Sequence, residues 1–366
     1  MKKTLLSFAI ALLVLAPLSN VQAANKMSNY LPIDLVENPD HWAAEVMMQL
    51  IDADIMKGYI EVNGDLYAKP DKKISRAEVA ALLVRSLDLD STKPGKDFTD
   101  VPEGFWGYDE IQIASALGIV NGITDTEFAP NKSITREQLA AMIVRSFKET
   151  VDFAGDHMHF SDVKNTWAKE YIDQASSVGI INGYGDGKFL PKGTATRAET
   201  SKMLIEALHL ESVDLPSESE LTELVINHEN AVYEKLQTND YRALYPIFDQ
   251  YTIGFFHAMV TDSTDLYLAL TENEGFEFSF EQVGTPQMKV ISKNTRLAVV
   301  DLSNLSYNVT ITYPDSTIET ENDDSTSGMY FLRMVDGEWK IYSQAPHSFE
   351  HTSFEKSSIP EMKRTR

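Results

Sequence analysis

The chain has 366 residues, 43% of them hydrophobic, with no cysteine and a formal net charge of −23. That length holds two or three globular units. The acidity excludes nucleic acid as a partner, since phosphate binding needs a basic stripe, and the lack of cysteine excludes a disulfide framework, which suits the outside of a Gram-positive cell.

Residues 1–23 read as a secretory signal peptide. Lys2 and Lys3 precede an apolar run from Thr4 to Leu18, and Val21-Gln22-Ala23 is a small-residue cleavage site. The run is too short for a membrane anchor, and no later stretch is long and apolar enough to span a bilayer. A secreted mature chain beginning near Ala24 is expected.

The next half repeats itself three times, over 32–92, 96–150 and 158–212, with a period of roughly 60 residues. Each copy opens at a tryptophan, Trp42, Trp106 or Trp167. About three helical turns later comes Asp54, Gly118 or Gly179, where a helix would end in the left-handed region. A glycine follows at 58, 122 and 183, then a polar turn with Pro70, Pro130 or Pro191 that cannot continue a helix. The second helix of each copy starts at a capping box: Ser75/Glu78, Thr135/Gln138 or Thr196/Glu199. Behind each box the apolar residues have helical spacing, as in Val79, Leu82, Leu83 and Leu87. One helix pair cannot bury its stripe, so three pack together.

Phe98-Thr99-Asp100-Val101-Pro102, Gly118-Ile119-Val120-Asn121-Gly122 and Thr135-Arg136-Glu137 resemble the S-layer homology (SLH) module. Phe160-Ser161-Asp162-Val163, Gly179-Ile180-Ile181-Asn182-Gly183 and Thr196-Arg197-Ala198-Glu199 repeat the match. The resemblance implies an all-α, pseudo-threefold helical bundle that docks on secondary cell-wall polysaccharide. It also implies that the bound group is often a pyruvate ketal, held in grooves between neighbouring repeats.

The residues suit that task. Arg76, Arg136 and Arg197 occupy the first turns of the capped helices, beside helix-end amides and the positive end of the dipole. A carboxylate there would accept charge-assisted bonds. Trp42, Trp106 and Trp167 would offer sugar platforms, while Asp34, Asp100 and Asp162 would bond hydroxyls. Gly122, Gly183 and Gly185 would let backbone approach a ligand. The structural alternatives are arginines paired with neighbouring acids, tryptophans in the core and aspartates capping helices. Repeat one is the most divergent: it has four more residues between Gly58 and Arg76, and Ser75 in place of threonine.

A linker is expected at 213–219 and an α+β domain at 220–350, followed by a tail at 351–366. Helices are predicted over about 220–237, 241–256 and 264–270. Leu305 to Tyr313 alternates as a half-buried strand, and the opposite parity of Ala298, Val300 and Leu302 predicts one long strand bent by a bulge near Ser303-Asn304. Asp336-Gly337 closes a hairpin. Helices followed by a bent antiparallel sheet resemble the NTF2-like cone. His228, His257 and His347 lack metal-ligand spacing, the Gly183–Gly187 turn lacks the oxygen ligands of a calcium loop, and no cofactor motif is present. The reading is therefore a non-enzymatic wall anchor displaying a C-terminal domain whose partner the sequence does not name. The alternative is a wall-tethered enzyme of isomerase or hydrolase type, with Asp301 as the base inside the cone.

Overall fold

The computed structural model describes residues 26–347. The expected signal peptide and tail lie outside the described residues. The chain divides into a unit spanning 32–215 together with 294–296, and a second formed by 216–293 and 297–347 with the segment before residue 32.

The first unit is helical. A short α1 (Ile33–Val36) leads to α2 (Ala44–Asp52), and a β-hairpin, β1 (Tyr59–Ile60) with β2 (Leu66–Tyr67), fills the longer loop of repeat one. Then come α3 (Arg76–Ser86), α4 (Tyr108–Ala116), α5 (Arg136–Phe147), α6 (Lys169–Ser177) and α7 (Arg197–His209). Both bonds of the capping box are present at the start of α3, α5 and α7. Helices α2, α4 and α6 end in left-handed residues, with φ of 57° at Asp54, 72° at Gly118 and 84° at Gly179. The Asp54 amide donates to Ile51 O and the Ile55 amide to Leu50 O, which closes the helix in a Schellman turn.

The helices do not pair within a repeat. The helix after each tryptophan packs on the capped helix of the preceding repeat: α4 on α3, α6 on α5 and, closing the circle, α2 on α7. At the centre the Ile74 amide donates to Ala195 O, Ala195 to Ile134 O and Ile134 to Ile74 O. This three-membered ring of backbone bonds joins fully buried residues.

In the second unit α8 (Glu218–Gln237) begins at Ser217, whose hydroxyl accepts from the Glu220 amide. The predicted helix at 241–256 is broken. A 3₁₀ turn at Tyr241–Ala243 and α9 (Leu244–Tyr251) are followed by extended Thr252 and Ile253, and the Ile253 amide donates to Ile341 O. Gly254, at φ 64°, restarts the chain as α10 (Gly254–Asn273), which absorbs the third predicted helix. One sheet has the order β3 (Glu277–Val283), β6 (Ser306–Thr312), β7 (Ile318–Asp323). The other has β4 (Gln287–Lys293), β5 (Leu297–Ser303), β8 (Gly328–Val335), β9 (Glu338–Pro346). The expected long bent strand is therefore two strands in different sheets, because Asn304 at φ 58° turns the chain between them and resets the parity. The β8–β9 hairpin turns at Asp336 (φ 51°) and Gly337 (φ 78°), the two positive angles of a type I′ turn. Leu221 and Val225 of α8, Phe248 of α9 and Val300 and Leu332 of the sheet share its core.

Replacing Thr196 by alanine removes the acceptor of the Glu199 amide and is expected to lower stability by about 1 kcal/mol. Urea unfolding followed by tryptophan fluorescence checks this.

Candidate functional site

The three arginines are buried, with 4% exposure at Arg76, 7% at Arg136 and 3% at Arg197. A buried guanidinium must have its N–H groups bonded, and each finds its partners on the next repeat. Arg76 Nε donates to Phe128 O and Nη2 to Asn121 O, both at 2.8 Å. Arg136 Nε donates to Phe189 O at 2.8 Å. Arg197 Nε donates to Ala68 O at 2.7 Å and Nη2 to Lys57 O at 2.8 Å. Each also lies over an aromatic ring: Phe128 at 4.6 Å, Tyr184 and Phe189 at 4.7 Å, Tyr59 at 4.7 Å.

The accepting turns are held by the aspartates. Asp34 accepts from the Ala68 and Lys69 amides, Asp100 from Phe128 and Ala129, and Asp162 from Phe189 and Leu190. The second residue of each pair is left-handed without being glycine, with φ of 52° at Lys69, 59° at Ala129 and 57° at Leu190. A carboxylate gripping two successive amides holds that strained turn and so aims its carbonyl at the arginine. The aspartates thus clamp turns; they do not cap the tryptophan helices.

The helix-end amides are also occupied. The Arg76 and Ala77 amides donate to Lys132 O and Pro130 O, Arg136 and Glu137 to Gly193 O and Pro191 O, and Arg197 and Ala198 to Lys72 O and Pro70 O. With the third amide taken by the capping hydroxyl, the backbone at these helix starts offers no free donor to an anion. That corrects the expectation of amide-assisted binding. What remains for a ligand is guanidinium.

Here the grooves differ. Arg136 Nη1 donates to Glu199 Oε1 at 2.9 Å, and Tyr184 OH donates to the same atom at 2.9 Å. Arg197 Nη1 stands 3.6 Å from Glu78 Oε1 and 3.4 Å from Tyr59 OH, and Tyr59 OH donates to that carboxylate. At the equivalent positions beside Arg76 are Gln138 and Ile123. Among the described residues Arg76 forms no ion pair, and its Nη1 makes no hydrogen bond. Burial lowers the Arg76 pKa below its ordinary value, and the Asp100 charge opposes that shift. Beside Arg136 in sequence is a second acid, Glu137, which accepts from Thr166, Trp167 Nε1 and Lys192.

The tryptophans are not core: Trp42 is 61%, Trp106 54% and Trp167 55% exposed. Trp167 Nε1 reaches Glu137, next to Arg136, at 3.1 Å. Gly107, beside Trp106, approaches Ala77, the neighbour of Arg76. Trp106 and Trp167 thus stand near the starts of α3 and α5, the capped helices of the preceding repeats. A Cβ on Gly122 would strike Thr124 O at 2.2 Å, and one on Gly183 would strike the Phe160 ring at 2.4 Å, so close packing explains both glycines. Gly185 is open, with nothing near its Cβ position. Sequence reasoning missed Gln138, Ile123, Tyr59, Tyr184, Glu78 and Glu199 as groove residues. For Glu78, Gln138 and Glu199 the signal was available in the third residue after each cap.

Asp301 lies on the face of β5 opposite Val300 and Leu302, with Oδ1 2.8 Å from His347 Nε2. It does not line the cavity of its unit, because the turn at Asn304 undoes the parity that pointed it inward. Among the described residues no cluster of three or more His, Asp or Glu side chains could hold a metal, and no helix is long and apolar enough to cross a membrane.

A ring of three repeats joined by buried arginines defines a repeat-built module, and comparison identifies the domain it is made of. Residues 97–140 and 159–201 match the model of the S-layer homology domain. Those two segments are thus S-layer homology domains, and with the surface-layer relatives they mark a secreted, cell-surface protein. It is 30% identical over 229 residues to a surface-layer 125 kDa protein of Lysinibacillus sphaericus, covering 61% of this chain and 18% of that one. It is 28% identical over 204 residues to a cellulosome-anchoring protein of Acetivibrio thermocellus, covering 50% and 45%. An endoglucanase of Bacillus sp. (strain KSM-635) is 28% identical over 236 residues, covering 60% and 24%. The chain thus spans less than half the length of these relatives. Repeat one lies outside the matched residues yet carries the same clamp and arginine.

Burial raises the Glu78 carboxyl, but hydrogen bonds from Tyr59 and Ser75 and the Arg197 charge outweigh it, leaving Glu78 below its ordinary value of 4.5. A lowered folded-state pKa stabilises the fold above the unfolded value and loses that contribution as pH falls through the folded one. Glu78→Gln should therefore shift the urea midpoint at pH 7, and the difference should vanish as the pH falls well below 4.5.

Proposed function

We infer that the three-repeat unit anchors the chain non-covalently, and without catalysis, to secondary cell-wall polysaccharide, and that the Arg76 groove receives its carboxylate, a pyruvate ketal. The observation that carries this reading is the Arg76 guanidinium, the one of the three that forms no ion pair among the described residues. In the other two grooves Glu78 and Glu199 already stand where a ligand carboxylate would go. Trp106, more than half exposed, supplies an apolar face for a sugar ring. Overall acidity is a weak objection, because repulsion beyond a Debye length of about 8 Å is screened while contacts in the groove persist. Roles for Trp42, Trp167 and Gly185 follow as secondary contacts along the polymer. The aspartates and the other two glycines serve the turns that shape the grooves.

The C-terminal unit we read as an NTF2-like cone displayed at the surface for ligand or partner binding. An enzyme based on Asp301 is disfavoured by its position outside the cavity.

Arg76→Ala would remove two inter-repeat bonds and damage the fold, so the test uses Gln138→Glu, which places in the Arg76 groove the acid its two counterparts have. Retention of the full protein on pyruvylated sacculi should fall by about 10-fold or more, since a charge-assisted pair is worth about 1.5–3 kcal/mol. Glu199→Gln should leave it equal or higher. Equal retention of wild type on sacculi with and without pyruvyl groups would reject the ketal. Unchanged retention of Gln138→Glu would reject the groove.

A further inference from the structure

The second unit has a cavity of about 60 Å³ between α8, α10 and the sheets. Its walls include Phe256, Met259, Phe280 and Val309. Into this apolar setting α8 places two adjacent polar residues, His228 and Glu229, both buried. Glu229 Oε1 stands 2.9 Å from His228 Nδ1 and accepts from Tyr330 OH at 2.9 Å. With Nδ1 as the donor to the carboxylate, Nε2 carries the lone pair. That Nε2 is buried and has no hydrogen-bond partner, and Glu229 Oε2 makes no hydrogen bond among the described residues.

An unsatisfied buried acceptor destabilises the fold, and a donor bound in the cavity would satisfy His228 Nε2. We propose that this cavity binds a small amine cation with a short apolar body, whose ammonium donates to Glu229 and His228. Charge selects this class. Glu229 and Asp323 both line the cavity, so an anion would meet two carboxylates. A neutral hydrocarbon would leave both acceptors without a donor. A protonated amine brings three N–H donors and the opposite charge, and the aromatic walls favour it further. Burial, followed by the Glu229 charge, holds the Tyr307 and Tyr330 hydroxyls above their ordinary pKa, in keeping with a negative site. The volume holds about four non-hydrogen atoms, judged by the space a water needs.

The test titrates the full mature protein at millimolar concentrations with n-propylammonium, propan-1-ol and propionate, following the His228 and Phe256 ring resonances by NMR. Propylammonium is expected to bind about 10-fold or more tightly than propanol, with no response to propionate. Glu229→Gln, which keeps an acceptor for Tyr330, should remove that preference and leave propanol binding unchanged. Equal binding of all three probes, or none by the folded wild-type protein, overturns the proposal. The three-probe comparison decides the matter without the variant should Glu229→Gln fail to fold. Wall retention plays no part in the readout, so the outcome is independent of the anchoring reading.

Discussion

A buried guanidinium that can be satisfied only by the next repeat governs the first unit. Arginine does not lose its charge in a protein, and burial without partners would cost more than the domain's whole stability. Arg76, Arg136 and Arg197 each answer that demand with carbonyls on the following turn. The chain of dependence runs from one to two, from two to three and from three back to one. Helix pairing has the same cyclic order, as has the central ring through Ile74, Ile134 and Ala195. A single repeat would present an unsatisfied arginine on one side and a turn without its cation on the other. Closure at three removes both ends at once.

The same constraint explains why the aspartates are where they are. A left-handed, non-glycine residue at 69, 129 or 190 is unfavourable by itself. Two amide bonds to one carboxylate make it tolerable and direct the preceding carbonyl inward. Aspartate, strained turn, carbonyl and arginine form a relay repeated three times. Because this scaffold is shared, differences between grooves fall on what it leaves over, namely the remaining arginine nitrogen and the residue facing it. Glu199 and Glu78 stand beside two of the three, whereas the equivalent position for Arg76 is Gln138.

The second unit follows a different rule. Its sheets and helices bury a continuous aromatic and aliphatic core, and within it α8 carries a polar pair that propensity and periodicity treat as an interruption. The interruption is bonded on one side and unbonded on the other. The sequence drew attention to Asp301, whereas the turn at Asn304 moved that side chain to the other face and left His228 and Glu229 at the cavity.

By itself the sequence determined what local chemistry dictates: capping boxes, left-handed stops at Asp54, Gly118 and Gly179, the Asp336-Gly337 turn and the helix expected from about 220, which begins at Glu218. Each depends on contacts within a few residues, so each was legible before any folding was known. The triple arginine was legible too, but its partners were not. Phe128 O, Phe189 O and Ala68 O are ordinary backbone carbonyls, and only their positions across a repeat boundary give them meaning. Tertiary structure alone decided that helices pair between repeats, that the helix-end amides are occupied and that Arg76, unlike Arg136 and Arg197, forms no ion pair among the described residues. It also decided the fate of the strand around residue 303, because strand parity predicts a face only until one residue turns left-handed.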